Sequence, residues 1–148
     1  MTITQSTLPG PGMTAGAVLD LLDRARAGLL AACHSSTAGE RYTQAHLAAL
    51  RAGAALVASR TAPSRRARPR SVWEMLPTVA PELTEWAVLF ADSGRRRLAL
   101  ERGVDCVTAR DADDLVRSGE RFLELVRACL HLPCELPLPT ELAPLGRG

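Results

Sequence analysis

Three times in this chain a Thr or Ser is followed three residues later by an acid, just ahead of helically spaced apolar residues: Thr37–Ala–Gly–Glu40, Ser71–Val–Trp–Glu74 and Thr108–Ala–Arg–Asp111. Each pattern is a capping box, in which the hydroxyl and the carboxyl satisfy backbone N–H groups that a helix start leaves without partners. Between these starts the apolar residues recur every four and three positions, and strand-like alternation persists nowhere. The chain must therefore be read as all-α.

The first helix runs from about Ala15 to Cys33, with Val18, Leu22, Ala25, Leu29 and Ala32 on one stripe. The second continues from the Thr37 box to about Ser59, and Tyr42, Ala45, Ala49, Ala52 and Leu56 supply its stripe. So many alanines on one face let a neighbouring helix approach closely. Residues 60–70 cannot extend that helix, because Pro63 and Pro69 interrupt it. The Ser71 box predicts a short helix stopped at Pro77, and Pro81 suits a first helical position. From there Leu83, Trp86 and Phe90 face a core along a helix to about Arg102. Gly103 is its stop, and Ser93–Gly94 is expected to disturb it. The last helix starts at the Thr108 box, carries Leu115, Gly119, Phe122, Val126 and Cys129, and ends near His131.

Four long helices and one short one with brief connections predict an antiparallel bundle over residues 14–131. A flexible segment, 1–13, precedes it, and a Pro-rich extended tail, 132–148, follows with Pro133, Pro137, Pro139 and Pro144. The length of 148 residues fits one domain at ~100–200 residues each. An apolar fraction of 47% excludes disorder, and no run approaches the ~18 apolar residues of a membrane span. The start, Met1–Gly12, lacks the basic and apolar regions of a secretory signal, so a cytoplasmic location and free thiols at Cys33, Cys106, Cys129 and Cys134 are expected.

Two constellations could carry chemistry. Arg41 and His46 stand as Arg-x4-His near the start of the second helix. Five residues is about 140° around a helix, so the two do not share a face, though a long arginine can close the gap. Together they could treat a phosphodiester, the guanidinium holding phosphate and the imidazole moving protons. The plainer interpretation pairs Arg41 with an acid and leaves His46 packed within the bundle. The second constellation is Arg60, Arg65, Arg66, Arg68 and Arg70, with no acid among them. All 18 basic residues of the chain are arginine and 16 residues are acidic; without these five, 13 basic residues face 16 acids, a net of −3. Such a segment can bind phosphate backbones with steep salt dependence, or simply be a solvated loop.

Other features point to packing. Trp73 and Trp86 sit at core-facing positions, and Arg95–Arg96–Arg97 reads as an exposed helical face with Asp92 and Glu101 near by. Cys129–Leu–His131–Leu–Pro–Cys134 is a loose match to zinc-ligand spacing, and neither metal nor cofactor is expected.

The run Glu40–Arg–Tyr–Thr–Gln–Ala–His46 through Leu56, then the basic loop, Arg70–Ser–Val–Trp–Glu–Met–Leu76 and Val79–Ala–Pro–Glu–Leu–Thr–Glu–Trp86, resembles a HEPN domain (higher eukaryotes and prokaryotes nucleotide-binding). The resemblance covers roughly residues 14–131 and implies a helical bundle that often forms homodimers. In active members it implies a metal-independent RNase using Arg-x4-6-His, the histidine aiding attack of a ribose 2′-hydroxyl on its own phosphate and the arginine stabilising charge. At matching positions that makes Arg41 the phosphate binder and His46 the acid–base group, with RNA or a nucleotide as ligand. Other HEPN-like domains are non-catalytic partners in toxin–antitoxin pairs, which implies a protein partner and a scaffold role as the alternative.

Overall fold

A computed structural model of the chain describes residues 14–61 and 70–146. Five helices follow one another: α1 (Ala15–His34), α2 (Ala38–Arg60), α3 (Val72–Val79), α4 (Thr84–Glu101) and α5 (Ala109–Cys129). A 3-10 turn, Pro81–Leu83, leads into α4. No strand occurs among the described residues, and the all-helical class read from the periodicity holds. The expected flexible segment 1–13 lies outside the described residues.

Ser71 with Glu74 and Thr108 with Asp111 form complete capping boxes. At α2 only half of the box forms: Thr37 accepts from the Glu40 N–H, and the cap is carried by the hydroxyl alone. Two helices end on the same motif by different residues. Gly103, at φ 84°, closes α4, and His131, at φ 59°, closes α5, each followed by a bond reaching five residues back (Val104 to Ala99, 3.0 Å; Leu132 to Arg127, 2.9 Å). The left-handed conformation suits glycine, whereas His131 adopts it against its Cβ.

The short α1–α2 connection makes an antiparallel hairpin. Contacts at both ends show that α2 and α5 run the same way. Arg41 near the start of α2 meets Asp113 near the start of α5 at 2.7 Å, and Arg60 at the end of α2 meets the carbonyl of Cys129 at the end of α5 at 3.0 Å. α4 runs oppositely: Glu82, just before it, lies 3.8 Å from the Cys129 thiol, and Arg96, in its second half, 3.8 Å from Asp111. The direction is up-down-up-down, with α2 packed on α1, α3, α4 and α5.

α2 can be the hub because Ala45, Ala48, Ala49, Ala52 and Ala55 on its surface are all buried and small. Gly53 permits the crossing of α3; a Cβ there would lie 2.9 Å from Val72 and 3.1 Å from Trp73. Above this floor sits a cluster holding every Trp and Phe of the chain: Trp73, Trp86, Phe90 and Phe122. Phe90 of α4 and Phe122 of α5 meet at 4.9 Å between ring centroids, a tilted contact that adds about 0.5–1.5 kcal/mol beyond area burial.

Two expected irregularities are corrected. α3 continues through Pro77 to Val79, because proline near the end of a short helix forfeits only one backbone donor. α4 passes Ser93–Gly94 without a break, since those residues are held by contacts with His46 described below. After His131 the chain turns back, and residues 133–146 run without helix or strand along α5 and α1 to the α1–α2 turn, where the Gly146 N–H bonds the Ser36 carbonyl.

Candidate functional site

Arg41 is 1% exposed, and every nitrogen of its guanidinium is engaged. Nε donates to the Ala32 carbonyl (2.9 Å), Nη1 to the Asp113 carboxylate (2.7 Å), and the two protons of Nη2 are shared among the carbonyls of Cys33 (3.2 Å), Ser35 (3.2 Å) and Ala143 (2.6 Å). Ala32 and Cys33 belong to the last turn of α1, whose carbonyls have no partner within the helix. The side chain thus caps α1, where positive charge is favourable. It also ties α1 to α5 and to the C-terminal segment.

His46 is 2% exposed and turns the other way, towards α4. Its Nδ1 lies 2.7 Å from Ser93 Oγ, which itself bonds the Phe90 carbonyl at 3.1 Å. Nδ1 and the Ser93 hydroxyl share one hydrogen bond whose direction follows the tautomer of the ring. The ring's other edge rests on Gly94, where a Cβ would sit 3.2 Å from Cε1 and 3.4 Å from Nε2. Trp73 covers its face at 6.2 Å between centroids. Burial, helped by the Arg97 charge, pushes its pKa down to about 4, so the ring is neutral at ordinary pH.

The structure therefore does not bring Arg41 and His46 into one cleft. Neither the face separation nor the long arginine stem decides this: the guanidinium is drawn to the end of α1, and the imidazole to the aromatic core.

The basic segment divides. Arg60 is exposed yet used, its guanidinium bonding the carbonyls of Val79 (2.9 Å) and Cys129 (3.0 Å), the last residues of α3 and α5. Arg70 is exposed just before the Ser71 cap. Arg65, Arg66 and Arg68 lie outside the described residues. The Cys129 thiol faces Glu82, and burial together with that carboxylate raises its pKa, which holds it in the thiol form. Among the described residues no three His, Cys, Asp or Glu side chains gather as a metal site, and no helix is long and apolar enough to cross a membrane.

Two open cavities lie elsewhere. One of about 510 Å³ is bounded by Thr37, Gly39, Leu100, Val107 and Ala109, where the starts of α2 and α5 meet the end of α4. Another of about 390 Å³ lies between Asp113, Asp114 and Arg117 on α5 and the segment Thr140–Leu145, with Arg41 at its floor. The second is not legible from local spacing, because half of its wall is the C-terminal segment. Arg117 and Glu120 of α5 meet the segment's backbone, Arg117 at the Pro139 and Thr140 carbonyls and Glu120 at the Leu138 N–H.

A family model described as SAV_6107-like HEPN matches residues 32–127. No curated protein and no solved structure matches the chain.

Proposed function

Because this chain belongs to the SAV_6107-like HEPN family, we propose that it binds RNA or a nucleotide without cleaving it, through the arginine segment 60–70 and not through Arg41 and His46. The observation that carries this reading is the spent guanidinium of Arg41: its nitrogens already serve five protein acceptors. A general base must also reach the proton it moves and titrate near the working pH. His46 is enclosed, and its pKa of about 4 leaves it a weak base. Binding is supported instead by charge, since five arginines without an acid outweigh the net −3 of the rest.

RNA binding by the full chain, measured over a salt series, tests the reading. Changing Arg65, Arg66, Arg68 and Arg70 to Gln, with Arg60 kept because it ties α3 to α5, should weaken binding and flatten the plot of log affinity against log salt by about 3. An unchanged slope would remove the segment as the contact. Incubation of RNA with the protein and no added metal should leave it intact. Cleavage that His46→Gln abolishes without lowering Tm would restore the Arg41–His46 assignment.

A second reading, docking of a protein partner, is favoured by the outer side of α4, where Val88 is 66% exposed and Leu98 also reaches solvent. Formation of a homodimer on this face is tested by sedimentation of Val88→Glu, which should shift the chain to monomer.

A further inference from the structure

The C-terminal segment 133–146 is held largely through its backbone, and arginines do most of the holding, with the Arg127–Glu135 ion pair at 3.8 Å and the Leu138 and Leu142 side chains beside these bonds. Arg127 Nε donates to the Pro133 carbonyl (2.9 Å), Arg26 Nη1 to Leu136 (2.8 Å), Arg117 Nη2 to Pro139 (2.8 Å) and Thr140 (2.9 Å), and Arg41 Nη2 to Ala143 (2.6 Å). In the other direction Glu120 accepts from the Leu138 N–H at 2.8 Å, and the Cys33 carbonyl from the Ala143 N–H at 2.9 Å. Four prolines in this stretch have no N–H, so carbonyls are the main polar groups it can offer. A wall of guanidinium donors on α1, α2 and α5 is the complement of that chemistry.

The segment is lightly anchored. Leu138 is its one buried side chain, and Leu136 is 79% exposed. Around Leu138 the fit is close, with a void of only about 20 Å³, whereas beside Thr140–Leu145 the groove leaves about 390 Å³ unfilled. It joins α5 through His131, a non-glycine residue in the left-handed region. Contacts that read carbonyls are indifferent to which chain supplies them. One buried apolar anchor, with Leu142 half-buried against the core, is much less than holds any of the four long helices.

From these contacts we infer that the groove between α1 and α5 is a binding site for a leucine- and proline-rich segment of another protein, with residues 133–146 as its resident occupant in cis. The incoming segment places a leucine in the Leu138 site and its carbonyls on Arg26, Arg117 and Arg127. The inference does not depend on RNA binding.

A fluorescent peptide with the sequence of residues 133–146 is the probe, titrated against full-length chains. Leu138→Glu removes the cis anchor, and the peptide should bind this variant saturably and about tenfold or more tighter than the unaltered chain, where the resident segment competes. Adding Arg117→Gln should weaken binding about tenfold through loss of two carbonyl bonds. Should Leu138→Glu fail to fold, hydrogen exchange on the unaltered chain serves instead: peptide excess should lower protection of the Leu138 and Ala143 amides while α2 stays protected. Absence of saturable binding together with unchanged protection overturns the inference. So does protection of those two amides that rises with protein concentration in the absence of peptide, because a second copy's segment would then occupy the groove.

Discussion

Arg41 and His46 lie five residues apart on one helix and are equally buried, yet their surroundings treat charge in opposite ways. The junction around Arg41 supplies four carbonyls and a carboxylate, and the guanidinium is buried ionised. The core around His46 supplies one hydroxyl, two glycine-lined or aromatic faces and a nearby arginine, and the imidazole is buried neutral. Burial alone does not set the state of an ionisable group; the number and sign of the acceptors within reach do.

The largest break in this comparison comes from removing the charge that is paid for. Arg41→Met leaves the Ser35 and Ala143 carbonyls and Asp113 without their donor, and the Ala32 and Cys33 carbonyls with backbone donors alone, and should cost about 3–5 kcal/mol in urea unfolding. Arg41→Lys should recover only part of that, because one ammonium cannot reach all five acceptors.

Acid tests the other side. The unfolded chain binds a proton at His46 below pH 6.5, and the folded chain only near pH 4. Stability from the neutral ring is therefore fully present above pH 6.5 and is lost as pH falls towards 4, by about 3 kcal/mol if no other group compensates. His46→Gln should flatten the stability profile over that window. Ser93→Ala, which leaves the buried Nδ1 without its partner, should cost about 1–2 kcal/mol, read by thermal unfolding. The smallest effect is expected at Arg95, whose exposed guanidinium pairs with Asp92 at 3.5 Å. Arg95→Ala should stay within about 0.5 kcal/mol of the parent, and a larger loss would show that exposure does not separate these arginines.

Much of the bundle is legible in local spacing. Val18, Leu22, Ala25, Leu29 and Ala32, read as one stripe, are all buried, as are Tyr42, Ala45, Ala49, Ala52 and Leu56 on α2. Gly103 ends its helix as its left-handed φ demands. Gly94 misled because the same residue that weakens an isolated helix also admits a ring, and which of these operates depends on His46 arriving from another helix. Pro77 misled for a related reason: tertiary packing of α3 on α2 outweighs one missing backbone bond.

The candidate site was less legible. The Arg-x4-His spacing marks two residues able to act on a phosphodiester, but spacing along one helix carries no information about partners that lie 72 and 102 residues away, as Asp113 and Ala143 do from Arg41. By itself the sequence determined the helices, their caps, their buried faces and the family, because periodicity and capping are local and repeat many times. Only the tertiary structure decided that Arg41 would bind carbonyls, that His46 would be neutral and that the C-terminal segment would lie on four arginines. Those outcomes depend on which backbone groups are left without partners once the helices have packed.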